Sequence, residues 1–438
     1  MNHGELLNST FQCQCGKTHT VPVSSIIYSE EAVEAIPQTL AAFKPARRVM
    51  LLADVRTWSL SGEHAAAVLR QGGWTISHII VPDTAHGSPV CDDCTFAALD
   101  RQIAPADIML AVGAGVINDL TKWLAFERYL PYAVLATAAT MNGYTAANVA
   151  PTIKGVKTLH VARAPLAIFA VPSVIRDAPF ELTAAGLGDV LAKPVSTADW
   201  LMNHLFLDEY FCPFCAGLIN DIEPAYFDNP AAIRNRDAAA IEALFNALIY
   251  SGIAMTVVGT SAPASGGEHM LSHTLDMMSS VDDVPHDLHG RQVGLGTIFA
   301  AALYEQILKI DTPKPVAAPT DIDHAFWDKL APNVAEQYRS KQPLLKTITA
   351  KITDPQIWNT FRTAVRPHVR TPQQIKNCLK QAGAAHTYEQ IQCPRPRLKA
   401  AITHMHEIRK RPTVVDLAHL LGVLPTQIDH LIDQYLTT

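Results

Sequence analysis

Ile108-Met109-Leu110-Ala111-Val112-Gly113-Ala114-Gly115-Val116-Ile117-Asn118-Asp119 is an apolar run that ends in two closely spaced glycines and continues into a helical pattern reaching Phe126. A strand buried on both faces reads as a continuous apolar run, whereas a half-exposed strand alternates. The stretch therefore predicts a central strand of a parallel sheet, a tight turn and a helix. Working outward, similar runs stand at 47–54, 74–81 and 133–136, and 64–71 looks helical. Strand alternating with helix predicts an α/β domain. Residues 1–20 read as a short extended arm.

From about residue 180 the strand-like runs stop. Ala238 to Thr256 and Arg291 to Leu308 are strongly apolar and predict buried core helices, and the rest of the chain is helical with Pro-marked breaks. The expected division is an α/β domain over 1–178 and an all-helical domain over 179–438, with the boundary in the region of Asp177-Ala178-Pro179. No internal repeat or low-complexity tract interrupts this. A chain of 438 residues is long for one domain and ample for two cores. The net charge of −6 argues against a general nucleic-acid binder. The polar N-terminus lacks the apolar segment of a signal peptide, and no run reads as a membrane span, so a soluble cytoplasmic protein is expected.

After a strand, glycines let backbone amides approach a pyrophosphate at the positive end of the following helix. Gly113 and Gly115 fit that role, with Asn118-Asp119 where a third glycine usually stands. Many strand-to-helix turns carry two glycines without binding a nucleotide, and Asp119 also reads as a helix N-terminal acid. Asp54, at the end of the 47–54 strand, reads either as an acceptor for an adenosine ribose, favouring NAD, or as a helix N-cap. Arg56 close by would tolerate a 2′-phosphate, which leaves NADP open.

Three further segments carry metal-ligand types: Gly186-Leu187-Gly188-Asp189; Ser265-Gly266-Gly267-Glu268-His269 with Ser272-His273; and His289-Gly290 before Gln292-Val293-Gly294. One carboxylate and two imidazoles from separate segments suit a catalytic divalent ion, which must keep positions open for substrate. His273 lies one helical turn after His269, on the same face. Eight cysteines stand at 13, 15, 91, 94, 212, 215, 378 and 393. Cys13-X-Cys15 with Cys91-X-X-Cys94 would make a four-thiolate zinc site pinning the arm, with His19 as a further candidate ligand. Cys212-Pro-Phe-Cys215 is expected to pack in a helix.

Taken in order, CQCGKTH, GAGVINDLTKW, TAATMNGYTAANVAP, AAGLGDVLAKPVSTADW, SAPASGGEHMLSH, HGRQVGLGT and PTVVDLAHLLGVL make the chain resemble the glycerol-1-phosphate dehydrogenase family, within the iron-containing alcohol dehydrogenase and dehydroquinate synthase group. The resemblance implies a Rossmann-like α/β domain followed by an all-helical domain, with the active site in the cleft. It implies reversible reduction of dihydroxyacetone phosphate to sn-glycerol 1-phosphate by NADH or NADPH, in a homodimer; the absence of a nucleic-acid or membrane partner is expected from the charge and the lack of an apolar span. One divalent ion is implied, zinc first and nickel or iron as alternatives, on Asp189, His269 and His289. Gly113, Gly115, Asn118 and Asp119 would hold the pyrophosphate, and Thr137 and Thr140 would lie near the phosphates and nicotinamide. Lys193 would help hold substrate and His273 would pass a proton.

Two departures touch the substrate. The usual Ser-Met-Asp-Gly appears as Thr140-Met141-Asn142-Gly143, so an uncharged amide replaces a substrate-facing carboxylate. The usual Ser-Arg-Pro-Ala-Ser-Gly appears as Ser261-Ala262-Pro263-Ala264-Ser265-Gly266, so an arginine suited to a phosphate is missing. Other polyol or sugar phosphates are the alternative substrates. A lyase of the dehydroquinate synthase type is the rival reaction, although the metal motifs carry no cluster of basic groups for an acidic substrate.

Overall fold

The computed structural model describes residues 3–43, 47–85 and 87–438. They form two compact units. The first comprises Met1–Gly186, Leu218–Tyr226 and Asn235–Gly259; the second comprises Leu187–Gly217, Phe227–Arg234 and Thr260–Thr438.

The first unit is built on a six-stranded sheet in the order Ser25–Tyr28, Ala167–Ala170, Tyr132–Ala136, Ile108–Gly113, Arg48–Asp54, Thr75–Val81. Every pairing in it is parallel. The two central strands Ile108–Gly113 and Tyr132–Ala136 are buried along their whole length, which is why they read as unbroken apolar runs. One face packs Val49, Leu51, Leu110, Val112, Leu135 and Phe169 against Leu40, Ala65, Ala66 and Leu69. The helix Gly115–Glu127 packs on the strands Arg48–Asp54, Ile108–Gly113 and Tyr132–Ala136.

Strand order places a topological switch in this sheet. From Arg48–Asp54 the chain moves to one side, to Thr75–Val81, and then returns to the other side, to Ile108–Gly113. Ligands of open parallel sheets bind beyond the carboxyl ends of the strands at such a point. The carboxyl ends here are Asp54 and the Gly113–Gly115 turn.

The apolar helix Ala238–Val258 belongs to this unit. It is tied by Thr145 Oγ1 donating to the Ile249 carbonyl at 2.6 Å, and by Thr256 Oγ1 donating to the Thr145 carbonyl while accepting from Ala147 N, both at 2.7 Å. It is long and apolar enough to cross a membrane by composition, and is mostly buried against protein. The arm forms a hairpin, Ser9–Gln12 antiparallel to Thr18–Val21, with Phe11 opposite His19.

The second unit is helical. Its central helix His289–Ile307 is buried over almost all of its length and packs against Gly267–Asp282, Pro372–Gln381, Val414–Leu420 and Ile428–Tyr435. Two glycines bring its neighbours unusually close. A Cβ on Gly188 would lie 2.0 Å from the Gly290 carbonyl oxygen, and one on Gly296 would lie 2.0 Å from the Glu268 carbonyl oxygen. Only glycine, which has no Cβ, fits at such contacts. They draw the segments carrying Asp189, Glu268 and His289 together.

Candidate metal centre and nucleotide turn

In the first unit, Gly113 ends its strand level with Ala136, and Thr137 N donates to the Gly113 carbonyl at 3.3 Å. The turn residues and Thr137 are therefore side by side at the carboxyl edge of the sheet. Gly115 opens the helix and has only the Met141 side chain within van der Waals reach of a would-be Cβ, at 3.7 Å. Asn118 is fully buried and its side-chain amide donates to Asp119 Oδ1 at 3.0 Å. Asp119 also stands 3.7 Å from the buried Lys122 ammonium, which donates to the Gly143 and Asn148 carbonyls. Thr140 is buried in the loop that follows, and Asn142 is half-buried there.

Asp54 caps a short helix. Its Oδ1 accepts from Arg56 N at 2.8 Å and Thr57 N at 2.9 Å, and Thr57 reciprocates in a capping box. The cap alternative is thus the role its Oδ1 visibly performs. Arg56 is held by Asp83, at 2.7 and 2.9 Å.

In the second unit, Asp189, His269 and His289 each present one ligand atom, and all three atoms lie within 4.8 Å of one another. Asp189 comes from the last turn of the helix Phe180–Leu191, His269 from the first turn of Gly267–Asp282, and His289 from the start of His289–Ile307. His269 Nε2 lies 3.4 Å from Asp189 Oδ1.

The partners of the far ring nitrogens fix which nitrogen faces inward. Glu268 Oε1 accepts from His269 Nδ1 at 2.9 Å and from Gly266 N at 2.6 Å. A carboxylate on Nδ1–H holds the proton there and leaves the Nε2 lone pair for a cation. Ser272 Oγ donates to Gln292 Oε1 at 2.8 Å, so its single proton is spent. Its 2.9 Å contact with His289 Nδ1 must then be an N–H donated by the ring, which turns His289 Nε2 inward as well. Burial opposes a charge on His269, but hydrogen bonds to Asp189 and Glu268, together with their charges, raise it to about 8. A proton there answers the same negative surroundings that a cation would. Two buried carboxylates with two oriented imidazoles fit a divalent ion.

His273 completes a ring of imidazoles, its centroid 5.9 Å from that of His269 and 5.7 Å from that of His289. Lys193 is buried, and its ammonium donates to the Cys215 carbonyl at 3.3 Å and the Pro263 carbonyl at 3.2 Å, tying down the loop before the His269 helix.

Several residues went unread in the sequence. Asp199 is fully buried and accepts from Tyr304 Oη at 2.5 Å, Gly267 N at 2.6 Å and Val414 N at 2.9 Å. Burial first, and then the charge of Glu268, push its carboxyl up to about 7. Arg409 has a left-handed backbone, φ 64°. Its guanidinium donates to Ser265 Oγ at 2.9 Å and Ser261 Oγ at 3.1 Å. Arg411 lies beside it, paired with Glu209 at 3.1 Å. A guanidinium therefore lies on the very loop where Ala262 replaces one. Arg409 and Arg411 stand directly before the segment PTVVDLAHLLGVL at 412–424.

The four-thiolate expectation is corrected. Cys91 packs against the cluster of Trp123, Val149 and Ala162, and burial pushes its thiol up; Cys94 is exposed. Neither joins Cys13 and Cys15 in a group of ligand atoms among the described residues.

Comparison with known proteins gives a consistent picture. A family model described as iron-containing alcohol dehydrogenase matches residues 27–179. Glycerol-1-phosphate dehydrogenase from Bacillus velezensis is 32% identical over 304 residues, covering 69% of this chain and 77% of that protein. The enzyme of the same name from Geobacillus stearothermophilus is 28% identical over 407 residues, covering 92% and 94%. Among solved structures, a glycerol dehydrogenase from Schizosaccharomyces pombe superposes with a TM-score of 0.60 at 14% identity, covering 94% of this chain and 91% of that one. NADH-dependent butanol dehydrogenase A from Thermotoga maritima gives 0.59 at 14% identity, covering 99% of each. At that identity the structures speak for the fold.

Proposed function

The chain belongs to the glycerol-1-phosphate dehydrogenase family, and on that premise we propose that it interconverts dihydroxyacetone phosphate and sn-glycerol 1-phosphate with NADH or NADPH. The observation that carries the reading is the Asp189, His269 and His289 cluster, with both imidazoles oriented from behind. A divalent ion held there, zinc by preference and nickel or iron as alternatives, supplies Lewis acidity toward a ketone oxygen, as the nicotinamide supplies hydride.

The chain's own residues do the rest. Asp189, His269 Nε2 and His289 Nε2 would hold the ion, and Glu268 and Ser272 keep the rings turned toward that position. Gly115 leaves room at the switch point for a pyrophosphate against the helix N-terminus, Gly113 lets the Ile117 side chain close under the turn, Asn118 and Asp119 support it, and Thr137 and Thr140 stand beside it. Asp54 and Arg56 flank the adenosine side; their carboxylate and guanidinium together admit either cofactor. His273 moves a proton to or from the substrate oxygen. Asn142 offers an uncharged amide to a substrate hydroxyl, and Lys193 positions the Pro263 loop. We assign the phosphate to Arg409, whose guanidinium lies on the Ser261–Ser265 loop that lost its arginine at Ala262. We propose a cytoplasmic homodimer on the family resemblance alone, and light scattering of the purified protein checks the dimer.

The test is NADH and NADPH oxidation by metal-loaded protein with dihydroxyacetone phosphate, unphosphorylated dihydroxyacetone and larger ketose phosphates. Preference for dihydroxyacetone phosphate with net cofactor consumption is expected. Catalytic recycling of the cofactor would mean a lyase, and preference for a larger ketose would reassign the substrate. In Arg409→Gln, KM for dihydroxyacetone phosphate is expected to rise by about tenfold or more, as for loss of a charge-assisted contact. Turnover of unphosphorylated dihydroxyacetone should hold; an equal loss on both substrates would make Arg409 a loop anchor only.

A further inference from the structure

We propose that the N-terminal hairpin holds a second metal ion, a structural zinc on Cys13, Cys15 and His19. The two thiol sulfurs and one imidazole nitrogen all lie within 4.8 Å of one another. Cys15 Sγ and His19 Nε2 are 3.3 Å apart. No step of the proposed reaction uses them, and they belong to the unit that carries the nucleotide turn, not to the one that carries Asp189, His269 and His289.

The hairpin itself converges the donors. Cys13 N donates to the Lys17 carbonyl at 2.9 Å, and Gly16 N donates back to the Cys13 carbonyl at 3.0 Å. Gly16 takes a left-handed φ of 84°, which reverses the chain directly after Cys15. The register Gln12 opposite Thr18 and Phe11 opposite His19 then brings the His19 ring back beside the turn. Phe11 meets that ring edge-on, with centroids 5.7 Å apart, and His19 is buried at 2% exposure. A buried imidazole held over a two-cysteine turn is a built arrangement rather than a chance approach of surface groups.

The donor set names the cation class. Two thiolates and an imidazole select a borderline or soft ion, zinc before magnesium or calcium. On binding, Cys13 and Cys15 give up their thiol protons to solvent and no electron moves, so the step balances without an oxidant. A further donor or a water closes the tetrahedron. The hairpin has only four-residue strands and a small apolar surface, and a metal cross-link at its turn would fix what short strands hold weakly.

The experiment is metal analysis of full-length protein purified with zinc, with cobalt substitution as the spectroscopic reading. About two ions per chain are expected, one of them lost in a Cys13→Ser, Cys15→Ser double variant. The cobalt protein should show thiolate-to-cobalt charge-transfer absorption that vanishes in that variant. A His269→Ala, His289→Ala variant, with the hairpin intact, should keep about one ion and the full charge-transfer band. That second variant keeps the test decisive if the cysteine variant misfolds. A wild-type protein with about one ion per chain and no charge-transfer absorption would overturn the proposal.

Discussion

Two groups of ligand atoms have the same tight spacing and opposite origins. Cys13, Cys15 and His19 come from one hairpin, and a single turn brings them together. Asp189, His269 and His289 come from three helices and meet only because those helices touch at glycines. The difference concerns what each site depends on. The hairpin group takes its three donors from one turn and its register, and the strand that carries the buried His19 is covered by the helix Ala238–Val258 of the same unit. The helical group needs long-range packing, and in addition needs Glu268 and Ser272 to turn its rings. Damage to helix packing should therefore remove one metal and spare the other.

The largest such effect is expected from Gly188→Ala. The new methyl would stand 2.0 Å from the Gly290 carbonyl, a backbone atom that cannot swing away. Moving the helices apart costs about 3 kcal/mol, the upper end for overpacked cores. It also pulls Asp189 from His289. Metal analysis should show loss of the helical ion and of turnover, with the hairpin ion kept. Loss of both ions together would mean that the two sites share a packing dependence and would break the contrast.

A smaller loss is expected when the support is altered and the packing is left alone. Glu268→Gln keeps an oxygen for His269 Nδ1–H and Gly266 N but removes the charge. Metal affinity at the helical site should fall about 10- to 100-fold, the usual cost of a partner behind a ligand. Titration with a competing chelator reads this directly. Unchanged affinity would assign Glu268 to helix capping, where its place in the first turn also favours an acid.

Much of this was legible in the sequence, for physical reasons that differ by residue. The strand Ile108–Gly113 announced itself because burial on both faces demands an unbroken apolar run. The meeting of Asp189, His269 and His289 was legible through the motifs around them, since close helix contacts force glycines next to Asp189 and His289. Ala238–Val258 was legible as a core helix but not as part of the α/β unit. A helix apolar all round does not say which neighbour buries it, and its anchors at Thr145 and Ala147 lie far away in sequence. Asp54 was ambiguous because one carboxylate type serves caps and riboses alike. Cys91-X-X-Cys94 misled because its spacing is also that of a helix start, Asp92 capping Asp93–Asp100, with Cys91 turned into an apolar cluster. Arg409 had no signature at all. Its contact with Ser261 and Ser265 depends on a left-handed residue and on chain far removed.

The smallest expected effect is the finest test of the comparison. Ser272 supports His289 as Glu268 supports His269, but with a neutral hydroxyl instead of a carboxylate. Its proton goes to Gln292, so it orients the ring only as an acceptor. Hydrogen bonds to an ionised acceptor are roughly twice as strong as neutral ones. Ser272→Ala removes one neutral bond with a net worth of about 1 kcal/mol, which is about a fivefold loss of metal affinity. The Gln292 amide, left in place, can turn toward the vacated ring N–H and limit the loss further. The same chelator titration checks it, with the double variant Ser272→Ala, Glu268→Gln closing a cycle. Near-additive losses would mean that each ring is turned by its own partner. A Ser272→Ala loss as large as that of Glu268→Gln would mean instead that ring geometry, and not the carboxylate's charge, sets affinity at the helical site.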